Sequence, residues 1–493
     1  MFNTFVLGMA LTVGQGNPIP AQLPTGPAPD APGSIAPRRI PDSAPTIAVP
    51  GSRVISTPGK VTVYPIAEGE QAPAPAAPKA AAEAPKAEEP KKEEEDKRGY
   101  FMKMLDGTSA GTCLQKKGVE VSGWLQGAYT KSHATNTPSN LPVTWNDRAN
   151  QFLLHQAWLR IAKPLDTESK EISTGFNLDL MFGSDYRFML QRGFYNSQLQ
   201  NSQGTQNIYG ADMPQAYVNA YLPSLFEGTE VRLGKFFTPF GYESLEGPTT
   251  PLLSRSYAFN WAPPFTHWGA MAIANLDTNW QATVGVVNGN DVMIGDPAET
   301  WRGLAKIAYA SDDKKTNIAL ATSLGHGKFN VGQRFEPATL ALAYEPAGRN
   351  NINVFDLTFS QELSDELTTA FEAIYGYQTG VPANVLGGLI DTSKSAGQSG
   401  TAQWLSFVKY FLYKFNDSVT GVARAECFQD FQGQRTGFEG VYWAGTAGLR
   451  ITPTDCLLIR PEVRYDYNGY TRSFDGGTKF GLTTAAIDVI LKF

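Results

Sequence analysis

Residues Leu457 to Tyr467 read LLIRPEVRYDY, and Arg460, Glu462, Arg464 and Asp466 fall on every second position. Leu457, Ile459, Pro461, Val463, Tyr465 and Tyr467 fill the places between them. In an extended strand alternate side chains leave on opposite faces, so one face is ionic and the other apolar. A ladder of this kind breaks no bonds. Its charges alternate in sign, so they can pair with those of neighbouring strands or order water in a polar bore. An Arg or Lys turned to hydrocarbon near a membrane midplane would cost about 2–4 kcal/mol, so these groups must meet water or each other. By the same parity Arg424, Glu426, Arg450 and Asp488 join the ionic face, with Asp179, Glu230, Arg232, Lys306, Asp356 and Glu372 from earlier segments. Because the signs nearly balance, the expected role is a mixture, with structural cross-strand pairing larger than a solute-polarising field. A strongly anion-selective or phosphate-specific pore would need a basic excess at its narrowest point, and the sequence offers none.

Other chemistries find little support. The four histidines, His133, His155, His267 and His326, have no serine two positions on and sit beside no paired carboxylates. A barrel phospholipase or protease would need a nucleophile beside a base, so the chain reads as a non-enzyme. His267, at the start of a strand, is expected to be a solvated rim residue. Cys113, Cys427 and Cys456 lie far apart in no metal-ligand spacing and are expected to be unpaired thiols. The formal charge of −6 argues against a nucleic-acid partner. Charged residues are 18% and aromatics 12%, a balance poorer in charge and richer in rings than a soluble enzyme usually shows.

The elements that hold the ladder repeat one design. The chain ends TTAAIDVILKF, with an apolar face of Ala485, Ile487, Val489, Leu491 and Phe493. That pattern suits the last strand of an outer-membrane barrel, lipid outside and water inside. From Val119 onward, runs of roughly ten residues with alternating polarity are separated by turns. Connections after even strands are short, such as KPLDTESKE, NLDTN and SDDKK, and those after odd strands are long. The expected fold is all-β: a transmembrane antiparallel up-and-down β-barrel of about sixteen strands. The tenth strand is assigned near Asn353–Ser360, leaving ATLALAYE, Ala338 to Glu345, in a long loop. Before the barrel, residues 1–16 resemble a secretory signal segment, although no Lys or Arg precedes the apolar run. Residues 17–98 hold 17 of the 33 prolines and end in a charge-dense run. Such a composition cannot bury enough apolar surface to fold, so a disordered periplasmic arm is expected. Residues 99–118 form a lead-in with one short helix, and 119–493 form the barrel.

About sixteen strands leave an aqueous channel rather than a packed core, so something must narrow it. The third long loop, Thr238 to Pro264, is expected to fold inward, bringing Tyr242, Glu243, Glu246, Arg255 and Tyr257. Opposed charges there would set a transverse field across a constriction. Trp124, Tyr129, Trp158, Trp443, Tyr465 and Tyr467 lie near strand ends and suit interfacial girdles. Trp404 has inward parity and is placed on the pore wall.

The segments VRLGKFFTPFGYE, LLSRSYAF and PPFTHWGAMA, then GVARAECFQDFQGQRTG, AGTAGLRITPTDCLLIRPEVRYDYNG and TAAIDVILKF, resemble the OmpL-like β-barrel porin family of planctomycete type. The resemblance covers roughly Val119 to Phe493 and is strongest in the last hundred or so residues. Cys427 departs from the large aromatic usual at that place and touches no assigned role. The resemblance implies an outer-membrane porin, a water-filled channel for passive diffusion of small hydrophilic solutes, with no cofactor. Expected partners are outer-membrane lipid, small polar solutes, the barrel-assembly machinery through the strand ending in Phe493, and further copies in a homotrimer. The competing function is a structural anchor that tethers the cell wall through the Pro-rich arm. A soluble β-sandwich conflicts with the lipid-facing parity.

Overall fold

The computed structural model of the chain describes residues 98–199, 207–295, 299–326, 352–382 and 399–493. The signal-like segment, almost all of the Pro-rich arm, and Ala338 to Glu345 lie outside these residues. The strands are β1 (Glu120–Ser132), β2 (Gln151–Lys163), β3 (Ser173–Gly183), β4 in two pieces (Gly210–Asp212 and Ala216–Leu222), β5 (Thr229–Phe237), β6 (Thr266–Asn275), β7 (Trp280–Val287) and β8 (Arg302–Ala310). They continue with β9 (Thr316–Gly325), β10 (Asn353–Glu362), β11 (Leu367–Pro382), β12 (Ser399–Asn416), β13 (Val419–Asp430), β14 (Gly440–Thr454), β15 (Leu457–Asn468) and β16 (Gly481–Lys492). Both pieces of β4 pair with β3 and count as one stave. Every strand runs antiparallel to its sequence neighbours, and β16 returns to β1 in a register from Trp124↔Lys492 to Ser132↔Thr484. The result is a closed barrel of sixteen strands. Closure removes the two free edges that an open sheet would leave unpaired.

The alternation read from sequence is the alternation of burial. On β15, Arg460, Glu462, Arg464 and Asp466 are buried inside, while Val463 and Tyr465 are 56% and 54% exposed outside. On β3, Asn177, Asp179 and Met181 point in, and Leu180 and Phe182 point out. Connections at one end are short, such as 417–418 and 455–456; those at the other are long, such as 133–150 and 238–265. Tyr129, Trp443, Tyr465 and Tyr467 stand outside as expected. Trp124 and Trp158 do not: both are buried inside the bore and stacked with centroids 4.8 Å apart. Trp124 shares the parity of the inward Gln126, and parity overrides nearness to the strand end.

The lead-in holds two short helices rather than one, α1 (Tyr100–Met104) and α2 (Ser109–Lys116). Gly107, at φ 77°, ends the first, and the Thr108 side chain caps the second by accepting from the Gly111 N–H. Helix α1 docks at the closure seam, where Phe101 meets Phe493 edge-on with centroids 6.3 Å apart. Phe493 itself exchanges two backbone hydrogen bonds with Gly123.

The apolar core lies within the bore. Loops from the long-loop end enter it and pack Trp145, Phe188, Phe259 and Phe265 into one cluster, and Tyr257, Trp261, Trp404, Tyr410 and Phe428 into another. The expectation of a bore free of packed core is thus corrected for this end. Loop residues, which strand counting does not place, do this by packing on inward strand residues such as Trp404, Tyr410 and Phe428.

Candidate functional site

The loop between β5 and β6, residues 238–265, is folded inside the barrel. Between residues 251 and 265 every side chain is buried. It contains one short helix, α3 (Tyr257–Trp261), capped by the Ser256 hydroxyl, which accepts from the Phe259 N–H at 3.0 Å. A loop crossing a bore leaves peptide N–H and C=O groups without strand partners, and each would cost free energy if buried unpaired. Here the ionic ladder supplies the partners.

Carboxylates take the N–H groups. Asp356 and Glu372 accept from Gly241 (2.6 Å) and Tyr242 (3.1 Å) at the base of the loop. Glu462 accepts from Leu253 (2.9 Å) and Ser254 (3.1 Å). Glu426 accepts from Tyr257 at 2.7 Å. Guanidinium groups take the carbonyls. Arg424 donates to Ser254 O (2.5 Å), Arg464 to Arg255 O (2.6 Å), Arg460 to Thr250 O (2.7 Å), and Arg450 to Thr250 O (3.1 Å) and Pro248 O (3.0 Å). The ladder also closes on itself. Arg460 pairs with Asp488 across the β15–β16 register, Arg464 with Asp466, and Arg424 with both Glu426 (3.0 Å) and Glu243 (2.9 Å). On the other flank Arg160 spans Asp179 (2.7 Å) and Glu246, and Gln156 donates to Leu245 O while accepting from the Gly247 N–H. Gly247 passes so close to β1 that a Cβ there would lie 2.1 Å from Gln126 Oε1.

The five residues expected to shape a constriction, Tyr242 included, are therefore brought together with the ladder, although not as a free field. Glu243 is spent on Arg424, the Tyr410 hydroxyl (2.8 Å) and the Ser256 N–H. Glu246 meets Arg160, and the Tyr257 N–H is taken by Glu426. The Arg255 guanidinium lies against the Trp145–Phe259 pair, 5.1 and 5.3 Å from the two ring centroids. Burial, only partly offset by Glu243, lowers its pKa to about 10. Arg232 stands apart, paired with Glu230 on its own strand at 2.7 Å. Of the fourteen ladder and wall residues expected inside, Lys306 and Arg450 alone are half-buried; the others are buried.

Three further expectations change. His267 is not a solvated rim residue: it is fully buried, with its ring nitrogens 3.0 Å from Gly289 O and 3.1 Å from Thr238 Oγ1. Trp404 points inward but is covered by the loop, its Nε1 donating to Ala262 O at 3.1 Å and its face stacked under Arg435. His155 contacts Asp185 at 2.7 Å, a pairing that sequence spacing did not suggest. A register shift between Gln126 and Gly127 is the cause, since it lets His155 and Gln156 both turn inward.

At the long-loop end Asp475 ties the last loop to the first. It accepts from the N–H groups of Thr135 (2.9 Å), Asn136 (2.8 Å) and Thr137 (2.9 Å), and Lys479 lies 3.0 Å away. Burial favours the neutral acid, but these donors outweigh it and hold the carboxyl well below its ordinary range. A depressed folded pKa means the stabilisation is fully present above about pH 4 and is lost as pH falls through the lowered value. Asp475→Asn is expected to free the latch at pH 7, speeding tryptic cleavage after Lys479 roughly tenfold or more. In the unsubstituted chain that rise should appear only in strong acid, read with an acid-active protease.

The family model described as "Putative beta-barrel porin-2, OmpL-like" matches residues 118–493. No curated protein is similar to the chain. Solved structures similar to it include the outer membrane channel DcaP of Acinetobacter baumannii, at 10% identity and TM-score 0.47, covering 76% of this chain and 97% of that one. An anion-selective porin from Comamonas acidovorans aligns at 10% identity and TM-score 0.48, covering 76% and 99%. Pseudomonas putida OprB aligns at 11% identity and TM-score 0.46, covering 78% and 96%. With most of its length matched by the family model, and a closed barrel whose outer face is apolar, the chain belongs to the OmpL-like β-barrel porin family and forms a passive channel in the cell outer membrane.

Proposed function

We propose that small hydrophilic solutes pass a constriction made by the 238–265 loop, with a mild preference for anions. The observation that carries this reading is the fate of the charges. The inward carboxylates away from the rims are buried against the loop or in ion pairs. The inward cations Lys306 and Arg450 keep partial access to water, as do the uncharged inner-wall residues Asn219, Gln281, Asn317 and Thr358. An unbalanced cation in a narrow pore raises the local concentration of anions. Of the fourteen charged residues of the inner wall, twelve are buried against the loop or in ion pairs, while Lys306 and Arg450, the latter also holding the loop carbonyls of Pro248 and Thr250, are the ones left to meet solute. In the same reading residues 17–98 form a periplasmic arm, the barrel-assembly machinery recognises the last strand, and copies associate as trimers.

Planar-bilayer recording tests it. The full chain is expected to give stepwise currents and, in a tenfold KCl gradient, a reversal potential of the sign set by chloride. Lys306→Glu with Arg450→Glu is expected to move that potential toward the potassium side. Absence of current would favour an anchoring role instead. An unmoved potential would assign selectivity to other groups.

A further inference from the structure

The channel wall carries a cation that neither the ladder nor the constriction loop uses. Lys492 is the last residue of β16 and stands opposite the inward Trp124 of β1, so its side chain points into the bore. It is half-buried, and among the described residues its ammonium makes no hydrogen bond and no ion pair. The charge that acts on it most strongly is that of Arg450, four residues before the end of β14. Arg450 spends two N–H groups on the loop carbonyls of Pro248 and Thr250. A guanidinium has five, and among the described residues no carboxylate forms an ion pair with this one. Two cations thus face the short-turn mouth of the bore with donors to spare.

Their surroundings suit a small oxyanion of high charge. Between the cations the wall is Leu458 and Ile490, opposite each other in the β15–β16 register and both buried. An apolar floor strengthens the attraction between charges, because it takes away water that would screen them. Hydroxyl groups flank it. Thr420 lies opposite Arg450 on β13, Thr452 lies two residues along β14, and both are half-buried. The carboxylates around the pair do not cancel its charge. Asp488 is held by Arg460 through both oxygens and by the Gln126 amide. Asp455, in the turn after β14, and Glu120, at the start of β1, are exposed, where water and salt screen them.

We propose that Arg450 and Lys492 together bind oxyanions carrying two charges, inorganic phosphate being the simplest, at the short-turn mouth of the channel. Such an ion is drawn to both cations at once and has oxygens to share among their donors. Chloride, with one charge and one atom, gains less from the second cation. The inference rests on the anion-preferring reading given above and adds a resting place to that path.

The test reads binding without current. The full chain, folded in detergent micelles, is titrated with inorganic phosphate at about pH 8, where phosphate is a dianion, and the phosphorus NMR linewidth is followed. Saturable broadening is expected. Lys492→Gln should weaken binding about fivefold or more, Lys492→Arg should retain it, and Lys492→Glu should abolish it. Lys492 is half-exposed at a strand end, so these variants are expected to fold, and heat-modifiable mobility checks it. In planar bilayers, phosphate should reduce the chloride current of the full chain at a lower concentration than that of Lys492→Gln. Equal broadening by the full chain and by Lys492→Gln overturns the proposal. So does displacement of phosphate by chloride as readily as by sulfate, the mark of a diffuse ion atmosphere. Lys492-dependent phosphate binding in a chain without chloride preference in the KCl gradient would support the site while overturning the selectivity reading.

Discussion

Arg424→Met is expected to release the constriction loop and to destabilise the barrel by about 3–5 kcal/mol, the usual cost of leaving buried carboxylates without their cation. Arg424 is 2% exposed and joins four things: Glu243, Glu426, the Ser254 carbonyl and the Thr446 hydroxyl. Its loss leaves Glu243 with only hydroxyl and amide donors, and Glu426 with Arg464 at 3.4 Å. Two readouts separate fold from function. The urea midpoint of the folded, heat-modifiable form should fall, and single-channel records should become larger and noisier as the loop leaves the wall. Replacing the partners too, as Arg424→Met with Glu426→Leu and Glu243→Gln, should recover part of the stability because no charge is stranded. Its records should stay noisy, because the Ser254 carbonyl and Tyr257 N–H still lack their donors and acceptors. Quiet, unchanged currents in Arg424→Met would show that something else holds the loop.

Val463→Arg probes the opposite face of the wall, on β15, two strands along. Val463 is 56% exposed to the outside, flanked across the sheet by Ala447 and Ala485. A guanidinium there meets hydrocarbon near mid-depth and is expected to cost about 2–4 kcal/mol. The folded fraction recovered after refolding into vesicles should drop accordingly, while the few barrels that insert should conduct normally. Its neighbour Arg464, one residue along, is tolerated because it is fully hydrogen-bonded inside. Normal insertion of Val463→Arg would mean that the facing of β15 is reversed.

Facing and strand number were legible because a barrel wall sits between two solvents and repeats a period of two. Arg460 and Val463 declare their sides by type alone, and the alternation of short and long connections sets the count. What the ladder does was not legible. Parity shows that Glu462 and Arg464 point inward, but not that a loop some two hundred residues earlier in the chain arrives to use them. A signal was present in retrospect. The inward charges are dense on β10 to β16, whereas β6, β7 and β9 carry none, and the loop leans on the charged side. His155 was missed because a bulge is a local exception to the period on which every facing rests. Trp124 and Trp158 were misplaced by nearness to strand ends, although their parity already placed them inside. The second lead-in helix could have been read from Gly107 and Thr108, a break followed by a cap.

The wall grips the constriction loop by its peptide groups at residues 241, 242, 248, 250, 253, 254, 255 and 257. Peptide groups are the same whatever amino acid bears them. The half-exposed edge formed by Tyr242, Ser244, Pro248 and Thr249 is thus a template that can be rewritten without touching its mount. Sieving properties and scaffold integrity are written in separate alphabets, and this barrel is a natural chassis for grafting new filters onto an unaltered frame.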